Sequence, residues 1–451
     1  MITQNQLENQ LPTEIKFAFH ELAILKHLKN AGINKYAGFT GAYLFQIVFT
    51  LIFHHKNWFQ LLESKKGESY PGKDAVYRFL NHCGYAWRRF LLLLSSYTIG
   101  RIKSLTSEKR ITAFVIDDSM YDRNRSKKVE LLSRFWDHAT NSYYKGFRML
   151  TLGWSDGHTL IPVDFALLGS LKSQISGIFQ PIDKRTIGYK RRLEALKPAT
   201  KLIPQMLERS LSAGIMASYV LMDSWFTYAP LIQAIRAKGL DVIGMIKNTN
   251  QRYLVRGRNL SLSELYCAAT PVTGHKGILR SIRTYLVPDI PVMVVFVRHR
   301  TRKNEWLAIV STDLSLSEEE IIRIYGMRWD IELLFKCTKS LLRLQKEFQG
   351  RSYDLLISHT TIVFSRYILL AWQHRCSTDQ RTFGGMFVQL CDEVSELDWA
   401  IALQQLLELI TDIVNHTSKK LSKMIFCQLK QWYDALPNYI KVYLPNLHCE
   451  S

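Results

Sequence analysis

The sequence predicts an α/β protein: a mixed sheet that carries acidic residues, interrupted by a β-rich insertion and flanked by helical regions at both ends. Three observations predict it. Residues 219–246 run strand, acid, helix, strand, the alternation expected of a sheet with helices on its faces. At Arg110 the chain changes from helical periodicity to β-branched and aromatic runs. Before that point, and again after about residue 359, only helical periodicity is present. The expected divisions are a helical region 1–105, a first core part 106–247, an insertion 248–305, a second core part 306–358 and a helical region 359–451.

Residues 1–105 contain long apolar runs at Gly41 to Phe53 and Phe90 to Ile99. Pro71-Gly72 makes a turn, and Lys73 to His82 begins a short helix with Arg78 and Asn81 on its surface, followed by Arg88 and Arg89. Such an element fits a helix-turn-helix placed in a DNA major groove, and equally an ordinary packed helix pair. Ile111 to Asp122 then reads as a buried strand ending in the paired acids Asp117 and Asp118. Arg148 to Trp154 and Thr159 to Leu168 are further strands, split by a Ser155-Asp156-Gly157 turn. A basic helix-forming stretch, Gly188 to Ala217, leads to a strand at Tyr219 to Met222 that ends on Asp223. Pro230 starts a helix that stops at Gly239, and Leu240 to Ile246 is the next strand.

From 248 to 305 the helical signal disappears, leaving strand candidates at Arg252 to Val255, Ile278 to Leu286 and Val292 to Arg298. Trp306 to Ser311 returns as a strand. Thr312 or Ser317 caps the following helix, with Glu318, Glu319 and Glu320 in its first turn. Near the C-terminus, Leu397 to Val414 has apolar periodicity and Lys419, Lys420 and Lys423 form a basic patch.

Composition narrows the function. The 451 residues are 47% hydrophobic and 22% charged, as in a globular protein, and the net charge of +20 points to a polyanionic partner, nucleic acid before an anionic membrane surface. Basic clusters at Arg123 to Lys128, Lys184 to Arg192 and Arg298 to Lys303 sketch a DNA path. The seven cysteines (Cys83, Cys267, Cys337, Cys376, Cys391, Cys427, Cys449) are scattered, which fits reduced thiols in a cytoplasm. The first residues lack a basic segment followed by an apolar run, so no signal peptide is expected. Tyr36 to Phe53 is the best membrane candidate, and a buried helix explains it better. There is no Gly-rich phosphate loop and no G-x-S-x-G elbow.

The chemistry concentrates in Ile324 to Leu344. Apolar residues at Ile324, Met327, Ile331, Leu334, Phe335, Leu341 and Leu342 predict one amphipathic helix. At about 100° per residue, Tyr325, Arg328, Glu332 and Lys339 share an arc of roughly 60° beside that stripe. One acid thus sits among cations and a phenol on one ridge. A solvated face with ordinary Glu and Lys pairs would look the same by periodicity alone.

The spacing Tyr-x2-Arg-x3-Glu-x6-Lys at Tyr325, Arg328, Glu332 and Lys339 resembles the YREK signature of the insertion-sequence 4 family of DDE transposases. The resemblance spans roughly Ile111 to Leu344 and implies an RNase H-like core. It implies that Asp117, Asp223 and Glu332 are the catalytic acids, and that Tyr325, Arg328 and Lys339 contact DNA phosphates near the cleaved end. Asp118 adjoins Asp117 and stays open as the first acid, because strand side chains alternate between faces; a strand-terminal Asp such as Asp223 is also a common turn former. Three carboxylates suit hard cations, so Asp117, Asp223 and Glu332 are also the candidate ligands of two Mg²⁺ ions, with Mn²⁺ as a substitute. Trp225, Trp306 and Trp329 are candidates to stack on a displaced base, although each also suits a core. His138 and His158 are taken as structural.

The expected function is cut-and-paste transposition. The protein would bind double-stranded DNA at an element's terminal inverted repeats, cleave the ends and join them to target DNA, as a homodimer in a synaptic complex formed through the C-terminal helices. It would act in the bacterial cytoplasm, at the nucleoid, away from membranes. The competing functions are a DNA-binding relic without catalysis, a metal-dependent endonuclease that does not join strands, and a basic membrane-associated helical protein.

Overall fold

Strand β1 (Ala113–Asp122) has an antiparallel neighbour on one side and a parallel one on the other, in a sheet that has 12 strands among the described residues. The computed structural model describes residues 13–436 apart from 36, 65–66, 108, 138–139, 275–276, 300, 303–304 and 377–380. His138, Cys449, part of the Arg298 to Lys303 cluster and the first twelve residues lie outside the described residues.

On one side β1 pairs antiparallel with β3 (Ser142–Ser155), which is flanked by β2 (Ser133–Asp137) and β4 (Leu160–Leu168). On the other it pairs in parallel with β5 (Tyr219–Met222), and β6 (Asp241–Ile246) continues the parallel run. The two ladders have different lengths. The β1–β5 ladder stops at Ile116 opposite Met222, while β1–β3 continues to Asp122 opposite Gly146. Asp117 and Asp118 therefore stand in mid-strand, not at the strand end expected from the paired acids, because β3 keeps supplying backbone partners after β5 has turned away.

The insertion does not form a separate body. β7 (Tyr253–Val255), β8 (Arg258–Leu260), β9 (Thr270–Pro271), β10 (Ile278–Leu286), β11 (Ile290–Arg298) and β12 (Trp306–Ser311) extend the same sheet, joined to it by the antiparallel β12–β6 pair. It also holds a helix not expected there, Leu262–Ala268, started by a capping box in which Ser261 and Glu264 satisfy each other's backbone N–H groups.

Helices α1 (Thr13–Glu21), α2 (Ile24–Asn30), α3 (Gly41–Thr50), α4 (Trp58–Leu62), α5 (Lys73–Leu80) and α6 (Trp87–Ser104) precede the sheet. α7 (Ile187–Ala195), α8 (Ala199–Ser212) and α9 (Ala229–Arg236) lie within the core, the Gly188 to Ala217 stretch being broken at Pro198, and α10 is the insertion helix Leu262–Ala268. α11 (Glu318–Gly326), α12 (Trp329–Ser340), α13 (Tyr353–Cys376), α14 (Phe383–Asn415) and α15 (Lys419–Ala435) complete the chain. The N-terminal helices, the sheet and α13 share one continuous apolar core. α5 buries Val76, Phe79 and Leu80, while Arg78 and Asn81 donate to carbonyls of their own helix at Asp74 and Tyr77. Arg88, expected on the surface, is drawn inward between Asp164 and Glu194.

α13 is long and apolar enough to cross a membrane, and it is buried inside the protein from Tyr353 to Trp372. Its hydroxyls at Thr360, Thr361 and Ser365 donate back to carbonyls one turn earlier, and that of Ser358 is shared between Leu355 and, outside the helix, Leu80. Its one buried guanidinium, Arg366, pairs with Glu347, which His359 also contacts at 2.7 Å, and donates to the carbonyls of Val48 and Phe49 at the end of α3. A second buried network ties α7 to α13: Arg192 meets Glu130 at 2.6 Å and Asp354 at 2.8 Å, and Arg191 lies 3.4 Å from Asp354. The last two arginines of the Lys184 to Arg192 cluster thus face the interior and leave the expected DNA path, because their charge is needed there.

Removing one partner of a buried pair strands the other. Glu347→Ala, which orphans Arg366, is expected to cost about 3–5 kcal/mol in urea unfolding. A loss below about 1 kcal/mol would show that Arg366 is already satisfied by the α3 carbonyls alone.

Candidate active site

Parallel pairing places Met222 opposite Ile116, so the next residues of each strand, Asp223 and Asp117, emerge side by side where the ladder ends. Asp223 leaves β5 into a turn that it stabilises itself: its Oδ1 accepts the N–H groups of Trp225 (3.0 Å) and Phe226 (3.3 Å), and its carbonyl accepts the Thr227 hydroxyl. Asp223 is both the turn former and the neighbour of Asp117. Burial pushes the Asp117 carboxyl up to about 7, with Asp223 adding to the rise and Arg328 opposing it.

Glu332 arrives from the helical layer. The stretch expected as a single helix is two, α11 ending at Gly326 and α12 beginning at Trp329. Across the junction the N–H groups of Met327, Arg328 and Asp330 bond three residues back, to Ile324, Tyr325 and Met327, a tightened turn that keeps helical backbone angles and so leaves the side-chain spacing intact. Ser317, not Thr312, caps α11 through a capping box with Glu320. α12 ends at Ser340, short of Leu344.

Arg328 is the joint between the two layers. Its Nη1 lies 3.0 Å from Asp117 Oδ2 and its Nη2 is 2.5 Å from Glu332 Oε1. Asp118 points elsewhere, into an ion pair with Arg148. Asp117, Asp223, Arg328 and Glu332 therefore form one group, with Asp118 and Arg148 beside it. The Tyr325 ring lies under the Arg328 guanidinium at 5.9 Å, its hydroxyl buried without a hydrogen-bond partner and its pKa pushed up to about 12 by burial. Lys339, two turns along α12, faces Asp122 at the far end of β1; burial lowers its pKa and Asp122 opposes that.

The aromatic candidates separate. Trp225 is 53% exposed and flanked by Arg148 and Lys247, at 5.6 and 4.8 Å from its ring. Trp329 is exposed on α12. Trp306 instead stacks on Tyr266 at 4.9 Å and meets Phe296 edge-on, so it belongs to the core of the insertion. Arg148, Lys247 and Asp122 escaped the sequence. No local pattern marks them, and only the strand register brings them to the acids.

Two family models match the chain: one described as a DDE superfamily endonuclease over residues 56–259, and one described as a transposase DDE domain over residues 194–355. This chain is a DDE transposase enzyme. The stretch shared by the two matches contains Asp223. No curated protein matches the sequence. As a DDE transposase it has DNA as its substrate, and DDE enzymes in general work with divalent metal ions.

The donor set of this DDE enzyme has the right chemistry for such an ion, since Asp117, Asp223 and Glu332 offer only carboxylate oxygens. Among the described residues, however, no group of three or more His, Cys, Asp or Glu side chains is drawn together closely enough to hold a metal. Between Asp117 and Glu332 the Arg328 guanidinium supplies positive charge.

A carboxyl whose folded pKa is raised holds its proton in the folded protein after the unfolded chain has lost it. Between the ordinary Asp value and about 7, rising pH therefore removes stability. In metal-free buffer Asp117→Asn is expected to raise the Tm by roughly 2–4 °C at pH 8, with the gain shrinking toward pH 5. A lower Tm at pH 8 would mean that the Arg328 pair outweighs the burial of Asp117.

Proposed function

We propose that this enzyme is a transposase of the insertion-sequence 4 group that binds the terminal inverted repeats of its element, cleaves their strands and joins the freed 3′-hydroxyls to target DNA. The observation that carries this is the meeting of Asp117 and Asp223 at the end of one parallel ladder with Glu332 brought to them through Arg328. The Tyr325, Arg328, Glu332 and Lys339 spacing supports the group assignment, and the sheet order, with acids on adjacent parallel strands and a third on a helix, supports an RNase H-like core.

Asp117, Asp223 and Glu332 would hold Mg²⁺, or Mn²⁺ in its place, as a pair of ions. Bound there, the ions would supply charge stabilisation for in-line displacement at phosphorus and lower the pKa of a hydroxyl or water. The protein's own groups do the rest. Burial keeps the carboxylates in a medium where their charge is felt strongly. Arg328, released from Asp117 and Glu332, presents two donors to a backbone phosphate, and the unpartnered Tyr325 hydroxyl adds a third. Lys339, its burial favouring a compact contact, lies along the same ridge for a neighbouring phosphate. Pairing two element ends calls for a homodimer, for which the C-terminal helices α14 and α15 offer exposed apolar side chains such as Trp399, Leu409 and Ile413. The N-terminal helices would bind the repeats, and the protein would work in the cytoplasm at the bacterial nucleoid.

The first matching family is described as an endonuclease, which favours hydrolysis without joining as the second function. One assay separates the two. On a labelled duplex ending in the element's repeat, with Mg²⁺, wild type is expected to nick at the repeat boundary and to form joined products; Glu332→Ala should lose both by at least about 10²-fold, the scale of removing one charge-stabilising group, while still binding the repeat. Nicks without joined products would establish the endonuclease, and equal cleavage by Glu332→Ala would displace the site.

Arg328 gives a further expectation. By calorimetry without DNA, Arg328→Ala should bind Mn²⁺ more tightly than wild type by roughly tenfold, since it frees two carboxylates from a competing cation. Unchanged or weaker Mn²⁺ binding would show that Arg328 does not stand in the metal's place.

A further inference from the structure

A second cationic site lies on the other side of the α11–α12 junction. Arg323, Gly326, Met327 and Asp330 recur at helical spacing on the face not occupied by Tyr325 and Glu332, and they form one wall of a cleft of about 580 Å³. Lys109, Arg110, Asp156 and His158 form its other wall. A neighbouring cleft of about 620 Å³ shares Arg110 and His158 and adds Arg375 from the end of α13.

The cations outnumber the acids, and two of them are held in place. Asp156 is buried, and its Oδ1 accepts the N–H groups of His158 and Thr159. Its Oδ2 is shared by two guanidiniums, Arg110 at 3.4 Å and Arg375 at 3.1 Å. One carboxylate thus orients two arginines while neutralising only one of them. Arg110 remains substantially open to solvent. The other described acid in the wall, Asp330, is hydrogen-bonded to Ser155 at 2.9 Å. Lys109 and Arg323 add charge without touching Asp156. A preoriented fork of arginines with surplus charge fits the tetrahedral oxygens of a phosphodiester.

Its position relative to the acids is set by the sheet. Ser155 pairs with Ala113, and Asp117 lies four residues along the same strand, roughly 13 Å at about 3.3 Å per residue. Duplex DNA advances about 3.4 Å per base pair, so this is a step of roughly four base pairs. We propose that the two adjoining clefts, lined by Lys109, Arg110 and Arg323 and by Arg110 and Arg375, bind backbone phosphates of the DNA about four base pairs from the bond that is cut. This rests on the DDE transposase function above. Two DNA segments have this chemistry, the duplex flanking the element and the target duplex.

The test uses the full-length chain and the double variant Lys109→Ala/Arg323→Ala, which leaves the Asp156 pairs whole. Binding is measured on repeat duplexes that extend about two or about twelve base pairs beyond the cleavage point, and capture of an unrelated duplex is measured with a pre-cut end, each across a salt series. Wild type is expected to bind the longer arm more tightly. The variant should bind and cleave the short-arm duplex as wild type does, lose roughly three- to tenfold on the duplex that reaches the cleft, and show a salt slope smaller by about two. Loss confined to the longer arm identifies flanking DNA, and loss confined to capture identifies target DNA. Unchanged long-arm affinity, capture and salt slopes in the variant overturn the proposal. Absence of metal-dependent cleavage by wild type on every duplex overturns the transposase function instead, and is told apart because arm-length binding is read without catalysis.

Discussion

Two carboxylates leaving adjacent parallel strands at the same register cannot avoid each other, and the charge of one raises the free energy of a charge on its buried neighbour. The end of the β1–β5 ladder creates that situation at Asp117 and Asp223, and the architecture around it supplies positive charge. Arg328 is brought in by the helical layer to face Asp117, and Arg148 is brought in by β3 to face Asp118. The site is therefore an electrostatic problem posed by the sheet and answered from both of its sides.

The same principle operates deeper in the protein, with a different result. Glu347, Arg366 and His359 sit where neither solvent nor substrate reaches, as do Arg192, Glu130 and Asp354. These groups have fixed partners on several elements, so they lock the helices to the sheet. Burial with fixed partners gives a fastener.

Much of this was legible in the sequence. Asp223 ends an apolar run in front of a turn, and the spacing of Tyr325, Arg328, Glu332 and Lys339 survives in the folded chain because the Met327–Arg328 junction keeps helical backbone angles while tightening its hydrogen bonds. The junction itself was invisible for the same reason: no Pro or capping residue marks it. That Asp117 and Asp118 stand in mid-strand was hidden because it depends on how far β3 pairs, a property of another segment. The helix at Leu262–Ala268 did carry a local signal, the Ser261 and Glu264 capping box, masked by the β-rich composition around it. The inward turn of Arg88, Arg191 and Arg192 could not be read locally, since their partners lie far along the chain.

α13 has one more consequence. By length and composition it qualifies as a membrane-crossing segment, with the hydroxyls of Thr360, Thr361 and Ser365 satisfied by its own backbone and the Arg366 guanidinium answered by Glu347 and by α3. What distinguishes it is the material around it, most of which comes earlier in the chain: α3 and α6, whose apolar faces share its core, and Leu80, whose carbonyl accepts the Ser358 hydroxyl. Synthesis from the N-terminus makes the cover before the helix it covers. On the ribosome, a segment that would otherwise solicit a lipid bilayer emerges toward partners already made.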